Sequence, residues 1–347
     1  MSMPERTIKY AEALKEATDQ LLAEDRRVFV LGLGVPQGAG GTTSGLAKKY
    51  PGRVLDTPTS EVALTGLAVG ASIGGLRPLV HHDRVEFSLL ATDQMFTQAA
   101  KWRYMFGGKG GSAPVTIRIV VGRQWGNGPQ HSQALYGMFG SVTGLRVVIP
   151  STPRMAKGLL IAAVHSDDPV IILEPRWLYG IKEEVPAALY EVPLDVARVV
   201  KKGSDITVVA YGDALFTARQ ALELLGEDAK RVELIDLVSL KPIDHKTIHT
   251  SIKKTGRLLT VDTTSSAFSI GSEVIAKAAE QPIQFKDTPR SLSCPDVPCP
   301  TAPSLSEFWY PTKVDVANAI RDMFGKPKLT TKLSFEELHL APTLTLS

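Results

Sequence analysis

Residues 56–78 read DTPTSEVALTGLAVGASIGGLRP, an apolar helical run set between turn residues and the opening of a strand. Pro58 biases Thr57 away from helix, Thr59 or Ser60 stands where a helix cap belongs, and Glu61 opens the run. Val62, Ala63, Leu64, Leu67, Ala68, Val69 and Ile73 place apolar side chains all round the axis, the composition of a buried helix. Gly66, Gly70 and Gly74 fall four apart along it. Each costs about 1 kcal/mol against alanine, so the stripe calls for close approach by another backbone or a ligand, with a subunit interface as one reading.

Working outward, RVFVL at 27–31 precedes this helix as a strand, and a short strand at 77–80 follows it. Consecutive apolar residues of this kind suit strands buried on both faces. Further strands are expected at 114–121, 146–150 and 170–174, with helices at 8–23, 88–104 and 154–165. Strand and helix in alternation predict an α/β fold with a parallel sheet. Residues 175–202 contain Pro186 and Pro193 and read as a connector, after which DITVVAYG at 205–212 opens a second series. That series has helices at 213–225, 246–254 and 270–280, strands at 232–237 and 258–262, and a last helix at 313–324. The predicted organisation is two parallel-sheet-containing domains at 1–185 and 203–326, joined by a linker at 186–202 and followed by an extended tail at 327–347.

Composition narrows the function. The 347 residues carry 39 basic and 36 acidic side chains, a formal charge of +3 with both signs mixed along the chain, which argues against nucleic acid as a partner. Cys294 and Cys299 are too few for a disulfide framework or a four-cysteine zinc site and read as ordinary reduced thiols. The charged amino-terminal region has no apolar signal core, and the uncharged stretch 62–76 is shorter than the ~20 residues of a membrane span, so a cytoplasmic, membrane-free protein is expected. GLGVPQG at 32–38 fails the dinucleotide fingerprint in spacing, and GGKGG at 107–111 lacks the spacing of a phosphate loop. His245 and His249 share a predicted helix face without a third metal ligand nearby and read as solvated.

Three places carry candidate chemistry. Glu61 is either a first-turn acid that complements the helix dipole or a carboxylate tuned for acid–base work at the mouth of a buried helix. His81, His82, Asp83, Arg84 and Glu86 crowd the end of a strand, where α/β sheets place ligands, and Phe87 follows them. His131, in a polar loop after another strand, is either a general acid or base or a structural histidine.

These residues lie within strings that resemble a known family. DTPTSEVALTGLAVGASIGGLRP, TDQMFTQAAKWRYMFGG, QHSQ, GLRVVIPSTPRMAKGLL, DDPVIILE, GSDITVVAYG, LIDLVSLKPID and KKTGRLLTVD occur in order. Together they resemble the beta subunit of the thiamin-diphosphate-dependent decarboxylating component of 2-oxo acid dehydrogenase complexes, of pyruvate, branched-chain or acetoin type, over about residues 5–324. The resemblance implies a pyrimidine-binding domain followed by a transketolase-type carboxyl-terminal domain. It implies an alpha subunit that carries magnesium and the diphosphate on a Gly-Asp-Gly motif, a two-alpha, two-beta tetramer, and delivery to a lipoyl acyltransferase. No such Gly-Asp-Gly motif occurs in this sequence, which reads as half of an active site.

Residue by residue, Glu61 matches the glutamate that bonds the aminopyrimidine ring nitrogen and so promotes loss of the thiazolium proton. Phe87 matches the aromatic stacked on that ring, and His131 the histidine of the substrate channel. A structural potassium site is implied at Val115, Ala163, Val164, Ser166 and Asp168, mainly through backbone carbonyls. Two departures stand out. Leu33 and Gly34 occupy the positions of an acidic pair that links active sites by protons, and the stretch 81–87 keeps only its last aromatic. His81, His82, Asp83 and Arg84 are therefore expected to line a pocket for a more polar substrate. Half of a split transketolase or acyloin synthase, and a non-catalytic assembly subunit, stand as alternatives.

Overall fold

The computed structural model of the chain describes residues 5–123 and 126–346 and resolves into two compact α/β units. The first comprises residues up to Val121, Ser141–Leu194 and the chain from Pro342 on; the second comprises Gly122–Gly140 and Asp195–Ala341.

In the first unit, β1 (Glu5–Lys9) leads into a helix at Tyr10–Glu24, followed by β2 (Val28–Leu31), β3 (Val54–Leu55) and the helix Glu61–Ile73. Then come β4 (Arg77–His82), β5 (Thr116–Val121), β6 (Arg146–Val148), the helix Pro153–His165, β7 (Val170–Pro175) and β8 (Lys182–Pro186). Within this unit the strands of the main sheet run β6-β7-β5-β4-β2-β3, all parallel. Every residue of β5 and β7 is buried, as expected of inner strands covered on both faces.

That burial includes a charge pair. Val120 stands opposite Glu174, and Arg118 lies two residues before Val120, so the pleat sends Arg118 and Glu174 to one face. The guanidinium donates to both carboxylate oxygens at 2.5 and 2.9 Å, and Tyr179 donates to the same carboxylate at 2.9 Å.

The second unit holds β9 (Arg198–Lys201), β10 (Ile206–Ala210), the helix Asp213–Leu225, β11 (Val232–Asp236), β12 (Ser239–Lys241), β13 (Leu258–Ser265) and β14 (Arg290–Cys294). Its sheet runs β14-β13-β10-β11-β9, parallel except for β9 against β11. The helices Asp213–Leu225 and Lys313–Met323 bring Ala214, Ala218, Ala221, Val316, Ala317 and Ile320 into its core.

Four local expectations change. The connector 175–202 carries strands: β8 pairs antiparallel with β1, and β9 joins the second sheet. The helix expected over 88–104 is broken into a 3-10 turn at Leu89–Ala91, a π-helix at Asp93–Ala99 and an α-helix at Ala100–Met105. The tail is partly ordered: Phe335–His339 is helical, and Lys182 exchanges backbone hydrogen bonds with Leu344 and Leu346 at 2.8 and 2.7 Å. The helix Glu61–Ile73 is buried on one face only, through Leu64, Thr65, Ala68, Val69 and Ser72, while Val62 and Leu67 are exposed.

Because both members of the Arg118–Glu174 pair are wholly buried, removing one strands the other. Glu174→Ala is expected to cost about 3–5 kcal/mol in urea unfolding of the full chain, and Arg118→Met with Glu174→Leu to recover most of it. A double variant as unstable as the single one would contradict this account.

Candidate functional site

β4 is an inner strand of the first sheet, and its carboxyl end brings the chain to the candidate residues. Alternation sends His81 and His82 to opposite faces, and both are buried. His81 Nε2 lies 3.1 Å from Asp83 Oδ1, and this hydrogen bond holds the Asp83 carboxyl below its usual range. His82 Nε2 lies 3.1 Å from Thr65 Oγ1, on the helix that begins with Glu61. Burial, with His81 adding to it, lowers the His82 imidazole from 6.5 to about 3, so it is neutral at ordinary pH.

Glu61 is half-buried in the first turn of its helix, one turn before Thr65 on the same side. Ser60 is the N-cap, but its side chain makes no cap hydrogen bond. Arg84 is buried at the start of the short helix Val85–Ser88, and Phe87 on that helix is 42% exposed. Of the four residues expected to line a substrate pocket, His81, His82 and Arg84 lie inside the protein and Asp83 is exposed.

Leu33 is exposed and Gly34 is left-handed, with φ +69°. Asp56 is the nearby carboxylate. It accepts from Gln37 Nε2 at 2.9 Å and from the amides of Gly34 and Thr57, each at 3.0 Å. The Gln37 bond, followed by the Gly34 amide, holds Asp56 below its usual range, which suits a loop anchor better than a proton relay.

His131 belongs to the second unit, on a loop closed by a hydrogen bond from the Gly122 amide to the Gln133 carbonyl at 2.8 Å. His131 is half-buried, and its amide donates to Gly128 at 3.3 Å. The first unit thus holds Glu61, Phe87 and Asp83, and the second holds His131. Thr65 is a site neighbour that sequence reasoning missed; its signal was a polar side chain four residues after Glu61 in an apolar run.

The carbonyls of the expected potassium site already have partners. Arg77 Nη1 donates to Val164 and Ser166 at 3.3 and 2.5 Å. The Val115 carbonyl takes the Val170 amide at 3.0 Å, Ala163 the Ser166 amide at 3.2 Å, and Asp168 the Ser166 hydroxyl at 3.2 Å. A potassium ion does not fit beside Val164 and Ser166 without opposing that guanidinium. Among the described residues there is no group of three or more His, Cys, Asp or Glu side chains arranged to hold a metal. No helix among them is long and apolar enough to cross a membrane.

Comparison with known proteins agrees with the two-unit plan. The pyrimidine-binding domain of transketolase matches residues 6–182, and the transketolase carboxyl-terminal domain matches residues 195–316. These two domains define a thiamin-diphosphate enzyme of the transketolase-like superfamily. The chain belongs to the family of beta subunits of the decarboxylating component of 2-oxo acid and acetoin dehydrogenase complexes. It is 38% identical over 329 residues to the beta subunit of acetoin:2,6-dichlorophenolindophenol oxidoreductase of Cupriavidus necator, covering 91% of this chain and 97% of that protein. It is 39% identical over 326 residues to the pyruvate dehydrogenase E1 component subunit beta of Porphyra purpurea, covering 92% and 98%. Among solved structures, a split-gene transketolase in an inactive beta4 tetramer shares the fold, with a TM-score of 0.74 at 23% identity over 91% of this chain and 97% of that one.

The His82 environment sets a pH dependence. Below about 6.5 the unfolded chain takes up a proton that the folded chain refuses, so this contribution is complete above that pH and is lost on acidification. The loss runs at about 1.4 kcal/mol per pH unit down to the folded value. His82→Phe should reduce the fall in unfolding free energy between about pH 7 and 5 by roughly 2 kcal/mol. Parallel stability–pH curves for the two proteins would contradict a neutral buried His82.

Proposed function

We propose that this chain is the beta half of a thiamin-diphosphate-dependent enzyme that takes an acyl group from a 2-oxo acid or an acyloin, working with an alpha subunit in a two-alpha, two-beta assembly. The observation that carries the reading is a half-buried carboxylate, Glu61, in the first turn of a helix pinned to the sheet, with the partly exposed ring of Phe87 in the same unit. When bound, thiamin diphosphate supplies a nucleophilic carbon and accepts the electrons released as the substrate's carbon–carbon bond breaks.

Glu61 holds a proton in common with the cofactor's ring nitrogen, which a neutral amide of the same size cannot do. Thr65 and His82 fix the turn that follows it. Phe87 offers a flat apolar surface to a flat ring. His131 gives and takes a proton at its imidazole in the substrate channel. Asp83 is the exposed polar group just past β4, and its carboxylate suits a hydroxyl on the substrate. The magnesium ligands belong to the alpha subunit with its Gly-Asp-Gly motif, and the acyl acceptor is a lipoyl group.

Glu61→Gln in the assembled enzyme tests the reading. Exchange of the cofactor's thiazolium proton, followed by NMR, should slow by orders of magnitude while assembly persists. Unchanged exchange would leave Glu61 as a helix-dipole acid only. Reductive acylation of a lipoyl peptide, measured against carboligation with an aldehyde, then separates a dehydrogenase subunit from half of a split transketolase.

A further inference from the structure

Among its described residues the segment Gly122–Gly140 has the short helix Tyr136–Gly140 and several left-handed positions: Gly122, Gly126, Gly128 and Leu135. A loop so permissive in its backbone needs side-chain ties to hold one of its residues in register. Its base is closed by the Gly122–Gln133 hydrogen bond, which puts Arg123 on one arm of the stem and His131 two residues from the other.

Arg123 is clamped. Its Nε lies 3.4 Å from Asp213 Oδ2, and the guanidinium carbon sits 4.7 Å from the centre of the Tyr310 ring. Both partners are themselves held. Asp213, almost wholly buried, is the first residue of the helix Asp213–Leu225 and accepts from Thr263 Oγ1 at 3.0 Å. The Tyr310 hydroxyl lies 3.5 Å from Cys299 Sγ. A buried carboxylate requires a compensating charge, and a guanidinium meets that need while lying flat on an aromatic ring.

We infer that Arg123 is the positioning residue of the His131 loop: its clamp between Asp213 and Tyr310 fixes where the imidazole stands. The relevance to catalysis rests on His131 being a channel residue, as proposed above; the clamp itself is tested without turnover. Arg123, Asp213 and Tyr310 are distant in sequence and all belong to the second unit.

The test is the rate of carbethoxylation at His131, read by peptide mass spectrometry on the full chain, with His165 as an internal control. Arg123→Met should raise the His131 rate several-fold, leaving His165 unchanged. Arg123→Lys, which keeps the charge and loses the planar fork, should fall between Met and the native residue. Tyr310→Leu should act in the direction of Arg123→Met, whereas Tyr310→Phe, which keeps the ring and loses only the long contact to Cys299, should stay closer to the native chain than Tyr310→Leu. An unchanged His131 rate in Arg123→Met, or equal acceleration at His131 and His165, would overturn the inference. Should Arg123→Met not fold, an unchanged His131 rate in Tyr310→Leu would do the same. His131→Gln in the assembled enzyme is read separately: full activity there would remove the catalytic role of His131 and leave the clamp, judged by reactivity, standing.

Discussion

The candidate site depends on the pleat of one strand. β4 ends in two histidines, and alternation admits no arrangement in which both face the same layer. His82 goes toward the helix that carries Glu61 and meets Thr65 there. His81 goes to the other face, where its neighbour across the sheet is Arg118. Because Glu174 shares that face, a buried ion pair lies behind the same strand end. One periodicity of two thus sets the hydrogen bond that steadies the glutamate helix and the charge pair that fills the layer behind it.

The buried polar groups differ in what they demand. Arg118 and Glu174 pair through Nε and Nη2, with Tyr179 as a third partner, and their geometry is fixed by strand register. His82, hydrogen-bonded to Thr65, meets the interior by remaining neutral. Asp83 faces solvent and retains its charge with the help of His81. Within three residues of chain the medium changes from one that excludes a proton to one that excludes neutralisation, which is the gradient an acid–base site requires.

Much of this was legible in the sequence because inner parallel strands and their helices write long apolar runs. The bounds read for the helix 61–73 are those observed, and RVFVL at 27–31 contains β2. What escaped reading has physical causes. β1 and β8, ERTIK and KEEVP, form a ribbon with a wet face and no apolar run. The π-helical stretch Asp93–Ala99 keeps helical composition while changing its hydrogen-bond spacing. The exposed side of the glutamate helix carries Val62 and Leu67, which on paper belong to a core. At the site, Glu61, Phe87 and His131 were singled out by resemblance, since one carboxylate, one ring and one imidazole are ambiguous alone. Thr65 left only a polar side chain in an apolar run and Arg123 left no signal, because their partners, His82 and Asp213, are settled by tertiary structure.

The first unit is not a continuous stretch of chain. Its strands β2–β7 are laid down by residue 175, but β8 pairs with β1 on one side and receives Leu344 and Leu346 through Lys182. The whole of the second unit's main segment, Asp195–Ala341, is synthesised in between. During vectorial synthesis, β8 therefore waits with an unfilled backbone position at Lys182 while an entire second unit emerges. The final stitch is made by residues past 341, so a ribosome that stalls within the second unit releases a first unit whose seam is still open.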